Sequence, residues 1–316
     1  MLSLMHRVKS SLSTAYRPRT VSMYDRQFRL FLAFAVFLNI QDIQDIHFIL
    51  AFLQLLYDNG LGQPSVANYV SSFKQQFQIY SLNHKVLEHR KVALLLKSFA
   101  INRPLQFKPK GIISVQLLAD ILQACKSLLH PALFKAVFSF AFFSFLRISN
   151  IAPPTESMFD LSRHLARGDI IWGHPGAHII LKWSKTMQTR REHQVVQIPV
   201  LCNSSLCPVT ALQNYFHQYP TGPNMPLFSL PSGRALTQAH IRQALTSIIH
   251  RLHLSAHNIT FHSFRRSGAT AVFNQNVQLQ NIQVHGGWQS TAIWHYLKST
   301  HQAAGEVART FQRILQ

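Results

Sequence analysis

Near the end of the chain, four kinds of chemically useful side chain lie close together in sequence. His262-x-x-Arg265 comes first, then the turn Gly286-Gly287-Trp288, then Tyr296. A guanidinium is a permanent cation whose fork matches two phosphate oxygens. An imidazole can take up a proton, an indole N–H can donate a hydrogen bond, and a phenol can act as a nucleophile once activated. Together they suit phosphate chemistry without metal. Taken singly each has an ordinary explanation: a tyrosine in an aromatic-rich helix usually packs in a core. The rest of the chain must therefore supply what the set lacks.

Several reaction classes are excluded at once. Between Glu192 and Glu306 there is no Asp or Glu, while Arg234, Arg242, Arg251, Arg265, Arg266 and Lys298 fall in that interval. A carboxylate-held Mg²⁺ site cannot be built there, nor a local Ser-His-Asp triad, although His262 and Ser263 are adjacent. The acids from Asp25 to Glu192 are scattered without a two-metal motif. No metal and no cofactor is expected. Over the whole chain, 31 Lys+Arg face 11 Asp+Glu, a formal charge of +20. Such a one-sign field attracts polyanions, nucleic acid above all, because each phosphate contact releases a counterion. Cys125, Cys202 and Cys207 lack a second metal-ligand pair and are expected to be free thiols. The longest mostly apolar run, Ala136 to Leu146, is too short to span a bilayer, so no membrane partner is expected.

Hydrophobic spacing supplies the elements. Residues 1–15 are expected to form a flexible basic arm. Residues 16–102 carry four helical patterns: one from Thr20 through Phe37, one from Asp42 to Tyr57, one capped by Ser65, and one from Asn83 to Phe99. Residues 103–111, with Pro104, Pro109 and Gly111, form a linker. Residues 112–316 make a second domain. In it Ser114 caps a helix reaching about Leu129, and Pro131 opens an apolar helix to Leu146. Arg147 follows that buried helix, where a cation is costly without an anion. Three short strands are predicted at Asp169–Trp172, His178–Trp183 and Gln194–Pro199. A cationic connection, Ser184 to Glu192, joins the last two, the shape of a hairpin that can enter a DNA groove. Helices resume at Pro208, Thr237, Phe261, Gln280 and Thr291. Residues Gln302–Gln316 form a final amphipathic segment. On the helix over Phe261–Phe273, His262 and Arg265 are placed at the solvent side of the apolar face.

The order of these features resembles the tyrosine recombinases, the phage-integrase-like superfamily. An arginine after a buried helix, a hairpin lysine, His-x-x-Arg, a Gly-Gly-Trp turn and a tyrosine appear in family order. The wording Phe-Leu-Arg147-Ile-Ser, Lys182-Trp-Ser-Lys185-Thr and His262-Ser-Phe-Arg265-Arg looks most like recombinases of eukaryotic mobile elements of the DIRS and Crypton kind. The resemblance covers about residues 112–298. It implies a mainly α fold: a helical-bundle core-binding (DNA-clamp) domain, then a catalytic domain with a small three-stranded antiparallel sheet. It also implies double-stranded DNA as partner, a tetramer on paired sites and, for such an element, a nuclear location.

The implied roles follow residue by residue. Arg147 and Arg265 hold the scissile phosphate, and Tyr296 attacks it to form a 3′-phosphotyrosyl link. His262 orients and accepts a proton. Lys185 protonates the 5′-oxygen, with Lys182 as the runner-up. Lys182, Arg190, Arg191 and Arg266 are expected to contact DNA. Two positions depart from the family pattern. Gly287 stands nine residues before Tyr296, where a His or Trp usually bonds the phosphate; Trp288 is expected to take that role, with His285 the alternative. Asn150 stands three after Arg147, where an acid is common. Two related readings share this chemistry: a DNA-binding protein of the same fold that has lost cleavage, and a relaxase like the type IB topoisomerases.

Overall fold

The computed structural model describes residues 18–103, 111–183 and 193–289, together with Arg7, Ile293, Trp294 and Leu297. The chain divides into two compact units, Met1–Phe107 and Lys108–Gln316.

The first unit is helical. Helices α1 (Pro18–Phe37), α2 (Ile46–Asp58), α3 (Gln63–Ile79) and α4 (Arg90–Asn102) bury one continuous aromatic core. Phe28, Phe31 and Ala35 recur on one face of α1 and are all buried, the spacing of an amphipathic helix. The ring centroid of Phe31 lies 4.5 Å from Phe73, 5.0 Å from Phe48 and 5.2 Å from Phe52. Such pairs add about 0.5–1.5 kcal/mol each beyond area burial.

The element ends differ from the periodicity reading for local reasons. The second helix begins at Ile46, not Asp42, because the Asp45 carboxylate accepts from the Phe48 N–H at 2.9 Å and caps it. Gly62, not Ser65, caps α3; Pro64 sits in its first turn, where its missing N–H costs nothing. The stretch from Asn83 splits into a 3₁₀ turn, His84–Glu88, and then α4.

The second unit has one main core and one three-stranded antiparallel sheet. Ser114 caps α5 (Val115–Ala124), its hydroxyl accepting from the Leu117 N–H at 3.1 Å; this helix gives way to a 3₁₀ turn at Cys125–Ser127, short of Leu129. Pro131 opens α6 (Pro131–Ser144), which is buried on nearly every side. A single turn, α7 (Ile148–Ile151), follows. Strands β1 (Ile170–Trp172), β2 (Gly176–Leu181) and β3 (Gln194–Pro199) pair in the order β1-β2-β3. Ile170, Ile179 and Val196 are aligned across the sheet and buried, as period-two alternation requires. Helices α8 (Pro208–Gln218), α9 (Gln238–Arg251), α10 (Phe261–Phe273) and α11 (Leu279–Gly286) complete the described part. The fold is therefore mainly α with one small antiparallel sheet, the class expected from sequence.

Among the described residues no helix is long and apolar enough to cross a membrane. Cys125, Cys202 and Cys207 are free.

Candidate active site

The site is built where α6 stops. The apolar pattern carries on to Leu146, but the helix ends at Ser144 because Phe145 takes a left-handed conformation, φ 52°. A bulky residue rarely adopts this backbone. Here it frees the Phe145 carbonyl from the helix ladder, and that carbonyl accepts from Arg265 Nη1. Arg147 then starts the one-turn α7 from an extended backbone. It is half-buried, and its side chain makes no hydrogen bond or ion pair among the described residues. Glu156, the acid nearest to it in sequence, is engaged by Arg234 at 3.4 Å.

Arg265 corrects the placement read from helical spacing: it faces inward, with only 1% of its surface exposed, while His262 on the same helix is exposed. The cause is the close approach of α10 to α6. A Cβ on Gly268 would lie 2.2 Å from the Phe142 carbonyl oxygen, so only glycine permits the contact that brings Arg265 to the end of α6. Besides Phe145, Arg265 Nη2 donates to the Gly286 carbonyl at 2.9 Å, and the guanidinium lies 3.7 Å from the Trp288 ring centroid. Carbonyls and an indole face satisfy N–H groups and solvate the cation, but none of these three carries a neutralising charge.

The Gly-Gly-Trp turn explains itself in this geometry. Gly287 closes α11 at φ 65°, which favours glycine. The chain then doubles back until the Trp288 ring covers Gly286, where a Cβ would lie 1.7 Å from a ring carbon. Trp288 is buried with Phe145, Ala269, Ile282, Ile293 and Leu297. His285, the alternative to Trp288, turns elsewhere: its Nε2 lies 2.9 Å from the Phe143 carbonyl and its ring packs on Phe145. Burial holds its pKa below the ordinary histidine value despite that hydrogen bond, and the Arg265 charge adds to the effect. A neutral ring with its proton on Nε2 follows, and it braces the end of α6.

The β2–β3 hairpin is tied down at both feet. The Asn150 amide, buried beside Arg147, donates to the Trp183 carbonyl at 2.9 Å. Gln194, the first residue of β3, donates to the Val284 and His285 carbonyls at 2.9 and 3.1 Å. Nothing in the sequence pattern singled out Gln194; its partners lie ninety residues away, beyond the reach of periodicity.

Two expected DNA contacts are placed differently from a simple basic surface. The Lys182 ammonium is committed to Asp169 at 2.7 Å, both side chains being largely buried. Arg266 is buried at 7% exposure, because it follows Arg265 on a helix packed on both sides; it is an interior side chain in the free protein, not an open surface cation. Lys185, Arg190, Arg191 and Tyr296 lie outside the described residues. The structure thus joins Arg265 to Trp288 directly and to the Arg147 segment through Phe145. It leaves His262 exposed at the start of the same helix. Among the described residues no cluster of three or more His, Cys, Asp or Glu is arranged to hold a metal.

No family model matches the chain, and no curated protein matches its sequence. Solved structures do match its fold. A crystal structure of the XerH site-specific recombinase bound to palindromic difH substrate, a post-cleavage complex, aligns with TM-score 0.65 at 17% identity over 93% of this chain and 79% of that one. The Tn1549 transposon integrase (residues 82–397) in complex with circular intermediate DNA aligns with TM-score 0.64 at 13% identity, covering 97% and 98%. A lambda integrase dimer bound to a COC′ core site aligns with TM-score 0.59 at 16% identity, covering 94% and 77%. At these identities the likeness establishes architecture: the chain has the tyrosine recombinase fold.

Proposed function

We propose that this chain is a site-specific DNA recombinase or integrase that cuts and rejoins double-stranded DNA through a 3′-phosphotyrosyl intermediate at Tyr296. The observation that carries the reading is Arg265. Its guanidinium is buried to 1% exposure beside two carbonyls and an indole, at the end of the helix after which Arg147 follows. A preorganised guanidinium fork of this kind suits the oxygens of a phosphodiester. Arg147, half-buried and without a described partner, is the second cation. The DNA complexes among the structures of this fold point the same way.

In this reading Arg147 and Arg265 offset the charge that develops on the non-bridging phosphate oxygens, the largest expected catalytic contribution. The Tyr296 oxygen attacks phosphorus as its proton passes toward His262. The bond to the 5′-oxygen breaks, and Lys185 gives that oxygen a proton. Trp288 fills the place of the residue that Gly287 cannot supply. The phosphotyrosyl bond conserves the energy of the broken ester, so a 5′-hydroxyl can reverse the step without ATP. No metal takes part. Ile293 and Leu297, which flank Tyr296 in sequence, are buried in the Trp288 cluster, in keeping with this assignment. Arg190 and Arg191 are the proposed DNA contacts of the hairpin.

The finer expectations rest on the sequence resemblance. They are the 16–102 helical unit as a core-binding clamp, a nuclear mobile element of the DIRS or Crypton kind, and a tetramer that exchanges the segment 302–316 between copies. An apolar groove of about 800 Å3 beside α10, lined by Leu118, Phe142, Val272 and Ile282 among others, is the surface proposed for that exchange.

The test is a nicked suicide duplex carrying the terminal DNA of the element, incubated with the full chain in EDTA. A covalent protein–DNA adduct mapping to Tyr296, and absent from Tyr296→Phe, is expected. DNA binding without any adduct would favour the cleavage-deficient reading. Relaxation of arbitrary supercoiled plasmid by monomer would favour the topoisomerase-like one.

A further inference from the structure

The last four carbonyls of a helix have no partner within it, and in α11 each is accounted for. The Trp288 N–H takes the Gln283 carbonyl at 2.9 Å, and the Gly287 N–H takes Val284 at 3.2 Å. Arg265 takes Gly286. Gln194 takes His285 and shares Val284. Two side chains from outside the helix therefore fix the turn that carries Trp288, and one of them is the proposed phosphate-binding arginine.

Gln194 is not there merely to satisfy carbonyls. The Val284 carbonyl already accepts from the Gly287 N–H, so it does not need Gln194 for a partner. A side-chain bond adds a fixed distance between β3 and α11. The fit is close as well: a Cβ on Gly287 would lie 2.6 Å from Gln194 Oε1. The residue type is also constrained. A carboxylate would repel two carbonyl oxygens, a leucine has no donor, and asparagine is one methylene shorter. At the other foot of the hairpin Asn150 makes the matching bond to Trp183. Both flanks of the segment 184–192 are thus held by carboxamides, one beside Arg147 and one beside the Arg265–Trp288 pair.

We infer that Gln194 is a positioning residue that sets strand β3, and with it the foot of the β2–β3 connection, in register with the Arg265–Trp288 pocket. The inference rests on the proposed strand-cleaving reading and deepens it. Gln194 acts through its two carbonyl bonds and touches no DNA.

Two measurements on the full chain test it. The first is amide hydrogen exchange in the free protein. In Gln194→Ala, exchange over residues 284–288 is expected to quicken while the helical unit is unchanged; unchanged exchange there would overturn the clamp. The second is single-turnover cleavage of the suicide duplex beside its dissociation constant, from acid to neutral pH. Gln194→Ala is expected to cut about 10- to 100-fold more slowly with DNA affinity preserved. Gln194→Glu is expected to be equally slow at neutral pH. Relative to wild type at the same pH, it should recover as acid protonates the carboxyl and restores one donor. Wild-type cleavage by Gln194→Ala, or a loss residing wholly in affinity, would overturn the positioning role. A wild type that forms no adduct would instead refute the strand-cleaving reading and the catalytic part of the inference. Exchange would then decide the clamp alone.

Discussion

In the helical unit Phe31 is fully buried among Phe48, Phe52, Phe73 and Phe77; in the second unit the residue buried to nearly the same degree at the end of α6 is Arg265. The described buried polar residues of the helical unit are neutral: Gln27, Ser72, Gln75 and Gln76. Ser72 and Gln76 are bonded to Tyr24 and Asp25 on α1. The second unit buries Arg167, Arg265 and Arg266. Arg167 lies over the rings of Phe216 and Tyr215, and its Nε and Nη2 atoms have no hydrogen-bond partner. A core of rings stabilises by removing apolar surface from water. A core that admits guanidinium groups gives up some of that gain. The contrast teaches that one unit's interior is organised for stability and the other's partly for charge.

The contrast can be broken at its apolar side first. Phe31→Ala should cost about 3–5 kcal/mol in urea unfolding, because it removes a ring that packs on five others and leaves a cavity. A loss under about 1 kcal/mol would mean that the aromatic core is not the source of that unit's stability.

A smaller effect is expected at Gly286. An added methyl at this position overlaps the Trp288 ring, so Gly286→Ala must push the indole off Arg265. Overpacking of this kind costs about 1–3 kcal/mol. The expected signature is a red-shifted tryptophan emission as Trp288 becomes wet, with slower DNA cleavage. An unchanged spectrum would show that the turn has slack.

The smallest effect concerns pH. Because the folded protein depresses the His285 pKa, the unfolded chain binds the proton more readily. The stability contributed by the neutral ring is present above the unfolded value, 6.5, and is lost as pH falls through the lower folded value. The melting temperature of the second unit should therefore drop on acidification below about pH 6.5, and His285→Gln should flatten part of that slope. A wild-type slope that His285→Gln leaves untouched would place the titration elsewhere, His164 being the other described histidine with a lowered pKa.

Much of this architecture was legible because its causes are local. Pro131 at a helix start, Ser114 as a cap and the alternation of Ile170, Ile179 and Val196 each act within a few residues. The candidate site residues were named from their order along the chain. Their orientation was not. Helical spacing puts Arg265 beside His262, and only the approach of α10 to α6 at Gly268 turns it inward. The left-handed Phe145 looked like one more apolar helix residue, since the partner of its carbonyl lies 120 positions away. Gln194 was silent for the same reason.

The central claim is that Arg265 is buried for the sake of a phosphate and not for the fold alone. Arg265→Lys keeps the charge and loses the fork. Single-turnover cleavage of the suicide duplex, measured with its dissociation constant and the protein's melting temperature, tests the claim directly. The account predicts cleavage slower by about 10²-fold or more, with DNA affinity and melting temperature little changed. Cleavage at the wild-type rate, or a loss fully explained by a lower melting temperature, would contradict it.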